Sequence, residues 1–197
     1  MSLPKNRIKI VAIIGSVRPD NLTSKALAVV IDEINKYPQV DLEIIDPARL
    51  NLALPGKESE DTSAAWLQEI VGQATGVILS TPEYHGSYSS VIKLVIDNLG
   101  YPSVLSGKPV ALLGVAAGQI GAIKALEHLR SVCSHVGAIV LPWPISVARA
   151  HTLFDEKGRC LDKKIEKEIR SVAVELIGYI KTHIYPLKGF EEVVRED

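Results

Sequence analysis

The sequence predicts an α/β fold, a five-stranded parallel sheet in the order 2-1-3-4-5 wound by helices on both faces. Short apolar, β-branched runs alternate with segments whose apolar residues recur at helical spacing, the pattern of repeated βαβ units. Residues 8–14, 76–80 and 109–115 are apolar almost throughout, as strands buried on both faces must be. Residues 40–44 instead alternate apolar with polar side chains, which suits an edge strand with one wet face. Right-handed crossovers leave few topologies. An edge position for the second strand selects the order given, with the first and third strands ending side by side at the switch point.

Taken in order, the first strand stops at Gly15-Ser16, and Ala26, Leu27, Val30, Ile31 and Ile34 then mark a helix for which Thr23 or Ser24 is the expected N-cap. Pro38 ends that helix. After the edge strand, residues 46–59 contain Pro47, Pro55 and Gly56 and read as a long loop. Asp61-Thr62-Ser63 can cap a helix carrying Ala65, Trp66, Ile70 and Val71. The third strand leads through residues 81–87 into a helix over residues 89–99, stopped by Gly100-Tyr101-Pro102. The fourth strand, residues 109–115, is followed by a small-residue loop at 116–121 and a helix with Ile123, Leu126, Leu129, Val132 or Cys133, and Val136 on one face. Residues 138–141 form a short fifth strand ended by Pro142-Trp143-Pro144, and residues 145–160 read as irregular. Ile165, Ile169, Val172, Leu176, Ile177 and Ile180 give the last helix a clear 3.6-residue stripe. The charged tail, residues 189–197, is expected to fray.

The 197 residues are expected to form one domain, with no internal repeat or linker. A net charge of −1 argues against a nucleic-acid partner, and the longest apolar runs are too short to span a bilayer. Cys133 and Cys160 stand apart, with no CxxC and no histidine at metal-ligand spacing, so reduced thiols in a cytoplasmic protein and no metal site are expected. The N-terminus has no apolar segment after its charge, so no signal peptide is expected.

Three loops carry the chemistry. The first, residues 15–24, offers Gly15 for a tight turn, short polar side chains at Ser16, Asn21, Thr23 and Ser24, and the guanidinium of Arg18. With the free amides of the next helix it composes an anion or phosphate site. The same composition also suits an ordinary capped loop with a surface arginine. It lacks the Gly-Lys-Ser/Thr of a nucleotide-triphosphate loop and the GxGxxG of a dinucleotide fold, and Asp46 is better read as a loop residue than as a ribose-binding acid. The second loop combines Pro82, Glu83, Tyr84, His85, Gly86 and Ser87, in which a flat heterocycle could stack beside Tyr84 while main-chain groups bind its polar edge. Glu83 as a solvated carboxylate and His85 as a local backbone partner are the plainer alternatives. The third loop, with Ala116, Ala117, Gly118 and Gln119, is small enough for a ligand to approach the backbone, although tight helix–strand packing explains it equally well. His128 and His135 read as surface or packing residues. No Ser-His-Asp or paired-carboxylate arrangement can be argued from the sequence, and no catalytic acid or base is assigned.

At these loops the chain resembles the NAD(P)H-dependent FMN reductases, a family that includes quinone, azo-dye and chromate reductases. The matching stretches are GSVRPDNLTSKAL at 15–27, TPEYHGSYSSVIKLVIDNL at 81–99 and KPVALLGVAAGQIGAIKALEHLR at 108–130, within a similarity covering most of residues 7–141. The segment Pro82-Glu83-Tyr84-His85-Gly86-Ser87 is its most specific part. The resemblance implies a flavodoxin-like three-layer sandwich with FMN at the carboxyl edge and NADPH or NADH as reductant. It implies the FMN phosphate at Ser16 and Arg18, with Asn21, Leu22, Thr23 and Ser24 at the helix start. The ring would then be flanked by Pro82, Glu83, Tyr84, His85, Gly86 and Ser87 on one side and by Ala116, Ala117, Gly118 and Gln119 on the other. Family members often have serine at Asn21, asparagine at His85 and glycine in the third loop where this chain has Ala117. The implied function is hydride transfer from NAD(P)H through bound flavin to a small acceptor, in a homodimer or homotetramer with the helix at 89–99 as an interface element. The competing readings are a flavodoxin-type electron carrier and a flavin-free binding or regulatory protein on the same fold.

Overall fold

The computed structural model describes residues 7–57 and 60–186. The expected fraying of residues 189–197 lies outside them. Strands β1 (Ile8–Ile13), β2 (Val40–Ile45), β3 (Gly76–Tyr84), β4 (Ser87–Tyr88), β5 (Pro109–Val115), β6 (Ile139–Val140) and β7 (Ile145–Val147) are joined by helices α1 (Leu22–Ile34), α2 (Ser63–Gln73), α3 (Ser90–Asp97), α4 (Ile123–His135) and α5 (Lys163–Tyr179). The parallel order is β2-β1-β3-β5-β6, with β7 also parallel to β5 and β4 antiparallel to β3. This is the flavodoxin-like order expected, renumbered because the hairpin strand β4 intervenes. β2 lies at the edge, as its alternating pattern requires.

The period of two in the central strands sorts side chains into two apolar layers. Ile8, Ile10 and Ala12 of β1, Ile78 of β3 and Ala111, Leu113 and Val115 of β5 pack with α1 and α5. Val11, Ile13, Val77, Leu79, Val110 and Leu112 face the other way, toward α2, α3 and α4. Across the first layer Arg170 of α5 bonds Glu166 of its own helix and Asp32 and Glu33 of α1.

Four local expectations are corrected. The N-cap of α1 is Asn21, not Thr23 or Ser24: its Oδ1 accepts from Ser24 N at 2.7 Å, and Thr23 is buried inside the first turn. β3 does not end at residue 80 but runs on to Tyr84, so the stretch expected as an open loop is a hairpin. The predicted fifth strand is reduced to Ile139–Val140, because two prolines within three residues remove ladder donors. The segment expected to be irregular then resumes the column as β7, followed by a 3₁₀ turn at Ala150–Thr152.

Candidate functional site

The carboxyl ends of β1, β3 and β5 open into a cleft of about 410 Å³, within the ~300–1,000 Å³ usual for small-molecule sites. Ten of the expected residues line it: Ser16, Arg18, Asn21, Leu22, Thr23, Pro82, Glu83, Tyr84, Ala116 and Ala117. Pro19, Asp20 and Val115 join them. Ser24, His85, Gly86, Ser87, Gly118 and Gln119 do not line this cleft.

At one end the chain leaves β1 and turns into α1. Asn21 Nδ2 donates to the Arg18 carbonyl at 2.7 Å while its Oδ1 caps the helix, so one side chain closes the turn from both sides. Asp20 sits in the left-handed region at φ 48° to make that turn. Ser16 is only 4% exposed and accepts from Arg18 N at 3.4 Å. The amides of Leu22 and Thr23 open α1 and have no intrahelical acceptor, as in the first turn of any helix. The Arg18 side chain is exposed and makes no ion pair among the described residues. A buried hydroxyl, free helix amides and an unpaired guanidinium fit a phosphate group.

Buried hydroxyls that the sequence did not single out tie this turn to the hairpin. Ser89 Oγ donates to Gly15 O at 2.6 Å and accepts from Ile92 N as the N-cap of α3. Ser80 Oγ donates to Ile13 O at 2.8 Å, and Gly15 N donates to Ser80 Oγ at 3.4 Å. Ser89 N in turn donates to Thr81 Oγ1 at 3.0 Å. Gly15 makes the approach possible, since a Cβ there would lie 1.9 Å from the Ser80 carbonyl oxygen. A serine at the end of an otherwise apolar strand, Ser80, was the available signal, and its partner 67 residues away was not.

The hairpin turns through His85 (φ 50°) and Gly86 (φ 74°), the left-handed pair of a tight two-residue hairpin. Tyr84, 39% exposed, stands at the cleft wall. His85 is exposed at the tip and bonds to no side chain among the described residues, so nothing there prepares it for proton transfer. Glu83 is half-buried and has a main-chain partner. Its Oε2 accepts from Ala125 N at 3.0 Å, in the first turn of α4. Ser87 Oγ pairs with His128 Nδ1 at 3.0 Å, one turn further along, which gives that surface histidine a partner.

The third loop is held from behind by the chain after β6. Ala116 N donates to Val147 O at 2.9 Å, Ala150 N to Ala116 O at 3.0 Å and Arg149 N to Gly118 O at 3.0 Å. Ala122 N donates to Ser146 Oγ at 2.8 Å, and Arg149 Nη2 to Gln119 Oε1 at 3.3 Å. Asp46 accepts from Ala48 N and caps a 3₁₀ turn, the plain loop role expected of it. Among the described residues there is no group of histidine, cysteine and acidic side chains that could hold a metal.

A slot between a proline–tyrosine hairpin and two alanines, with a turn of free amides and an unpaired guanidinium at one end, has the form that would suit a flat ring carrying a phosphate. The family model for NADPH-dependent FMN reductases matches residues 8–152. The chain belongs to that family. Among its relatives, an NAD(P)H-dependent FMN reductase of Pseudomonas aeruginosa is 31% identical over 173 residues, covering 83% of this chain and 90% of the relative. A 2-hydroxy-1,4-benzoquinone reductase of a Burkholderia species is 26% identical, covering 88% and 97%. An FMN-dependent NADPH-azoreductase of Staphylococcus aureus is 28% identical, covering 88% and 95%. In fold the chain is similar to the flavoenzyme NAD(P)H:(acceptor) oxidoreductase of Paracoccus denitrificans, with a TM-score of 0.77 at 24% identity over 89% of this chain and 98% of that one. A flavodoxin from the Archaea shares the fold at a TM-score of 0.61 and 11% identity, covering 88% and 99%.

Proposed function

We propose that the cleft holds FMN, with its phosphate at Ser16, Arg18 and the first turn of α1 and its ring between residues 82–84 and 116–117. The electrons would pass from NADPH or NADH to a small acceptor such as free flavin, a quinone, an azo compound or a metal oxyanion. As a family member, the chain is an FMN-dependent NAD(P)H oxidoreductase. The observation that carries the site assignment is the convergence of three loops on one cleft with an unpaired arginine and free helix amides at its end.

FMN when bound supplies the hydride acceptance and donation. The chain's own residues bind and orient. Arg18 and the amides of Leu22 and Thr23 neutralise the phosphate. Pro82 and Tyr84 form one wall of the slot and Ala116 and Ala117 the other. The main-chain N–H of Ala117, in the cleft wall, is a donor available to charge that develops on the ring. No side-chain acid or base is assigned. The range of acceptors proposed is in keeping with relatives named for different acceptors. Association into a homodimer or homotetramer through α3, whose Leu94 is only half buried, is part of the same proposal.

The deciding test is anaerobic mixing of the FMN-loaded protein with NADPH and then NADH. Bleaching of the visible flavin absorbance is expected. A flavin that stays oxidised with both would leave an electron carrier, and a protein that takes up no FMN would leave a flavin-free binding protein. Arg18→Ala should weaken FMN binding by the ~1.5–3 kcal/mol typical of hydrogen bonds to charged groups, or about ten- to 150-fold. Unchanged affinity by fluorescence titration would move the phosphate elsewhere.

A further inference from the structure

Helix α4 has no N-terminal cap of its own. Ala122 occupies the cap position, has no side-chain acceptor to offer, and gives its own N–H to Ser146 Oγ. The first turn nevertheless finds an acceptor, and it comes from another element. Glu83 Oε2 takes the Ala125 amide at 3.0 Å across 42 residues of sequence. A carboxylate is the favoured group at this end of a helix, because it satisfies an orphan donor and meets the positive end of the helix dipole.

The place of that bond in the cleft gives it its consequence. Glu83 lies between Pro82 and Tyr84, which line one wall. The N-terminus of α4 directly succeeds residues 116–121, whose Ala116 and Ala117 line the other. A second tie, Ser87 Oγ to His128 Nδ1 at 3.0 Å, lies three residues further along the same helix. The hairpin is therefore bolted to α4 at both of its strands. No other side-chain hydrogen bond among the described residues joins the hairpin to α4. The body of the hairpin is anchored separately, through Thr81 and Ser89 to Gly15.

We propose that Glu83 is a positioning residue: by capping α4 from the hairpin, its carboxylate sets the separation of the two walls of the cleft and thereby the grip on the flavin ring. The proposal rests on FMN as the occupant of the cleft for its ligand, and on the Glu83–Ala125 bond alone for its geometry. Glu83 touches no reacting atom in this role. What it controls is the width of the slot.

The test compares Glu83→Ala with Glu83→Gln, since glutamine keeps an acceptor of the same reach and loses only the charge. In the flavin-free protein, amide hydrogen exchange at Ala125 should quicken about five- to tenfold in Glu83→Ala, as expected for loss of a helix cap. Glutamine should restore most of the protection. In the FMN-loaded protein, Glu83→Ala should loosen FMN about tenfold and alter the visible circular dichroism of the flavin, with glutamine again close to the wild type. Exchange unchanged in Glu83→Ala would overturn the capping role. Faster exchange with FMN affinity and dichroism both unchanged would overturn its effect on the slot. Should the wild type take up no FMN, the cofactor reading fails, while quickened exchange in the alanine variant still supports Glu83 as the bolt between the two walls.

Discussion

Gly15→Ala places the heaviest demand on the fold for the smallest chemical change. A Cβ at position 15 would lie 1.9 Å from Ser80 O and 2.9 Å from Ser80 C, both backbone, and 2.8 Å from Ile92 Cγ1. The isoleucine could rotate, but the carbonyl belongs to a central strand. The ends of β1 and β3 must separate by more than 1 Å before the contact reaches 3.0 Å, itself tighter than most. That separation strains the bonds from Ser89 Oγ to Gly15 O, at 2.6 Å, and from Gly15 N to Ser80 Oγ. Overpacking costs about 1–3 kcal/mol, and a buried hydroxyl left without its partner about 1–3 kcal/mol. The expected loss is about 3–5 kcal/mol, a large part of the ~5–15 kcal/mol that holds a domain folded. At about 2–4 °C per kcal/mol for a chain of this size, the melting temperature should fall by roughly 10 °C. Urea unfolding followed by far-UV circular dichroism measures it. The control is Gly178→Ala within α5, where a Cβ meets nothing within 4 Å and which should gain up to about 1 kcal/mol in helix propensity. A Gly15→Ala protein within about 0.5 kcal/mol of the wild type, the scatter of ordinary surface substitutions, would refute the close approach of the two strands.

Burial pushes the Cys133 thiol up to about 12, so almost no thiolate exists at pH 8, while Cys160 is only partly covered. A disulfide reagent at pH 8 should therefore modify Cys160 first and reach Cys133 only after denaturant is added; two thiols reacting at one native rate would contradict the buried position. Arg170→Ala should cost about 1–3 kcal/mol, because it leaves Glu166, Asp32 and Glu33 facing one another without their shared cation. Salt should shrink that loss by screening the carboxylates, and urea unfolding at low and high salt would expose a loss that ignores ionic strength.

Much of the architecture was legible because periodicity records which faces are buried. The alternation in residues 40–44 placed β2 at the edge, and the unbroken apolar runs placed β1, β3 and β5 inside. What escaped was long-range or conformational. Thr23 and Asn21 are both good N-caps, and only the backbone decides between them: Asn21 is extended at φ −73°, ψ 148°, whereas Thr23 is already helical. The hairpin of residues 84–87 was hidden because His85 stands where the usual signal is Asn-Gly or Asp-Gly. At the site, the residue types at the cleft could be named from three loops, but the partners of Glu83, Ser80 and Ser89 lie 42 to 74 residues away. No local pattern carries such pairings.

The split fifth column shows why the cleft needs more chain than its lining suggests. β6 pairs with the start of β5 at Pro109 and Val110, and β7 with its end at residues 113–115. The prolines at 142 and 144 end one piece, and the chain must leave the sheet before it can rejoin β5 further along. Rejoining there brings Val147, Ser146 and Arg149 behind residues 116–122, where they hold the main chain of the third loop at Ala116, Ala122 and Gly118. A continuous fifth strand beside residues 109–112 would stop short of the site. The family match reaches residue 152, through the 3₁₀ turn at Ala150–Thr152 that completes this support, and stops before α5. That boundary has a physical sense: every residue that lines the cleft lies before it. Helix α5 covers one face of the sheet with its stripe of buried aliphatic residues, and its Arg170 ties it to α1 rather than to the cleft.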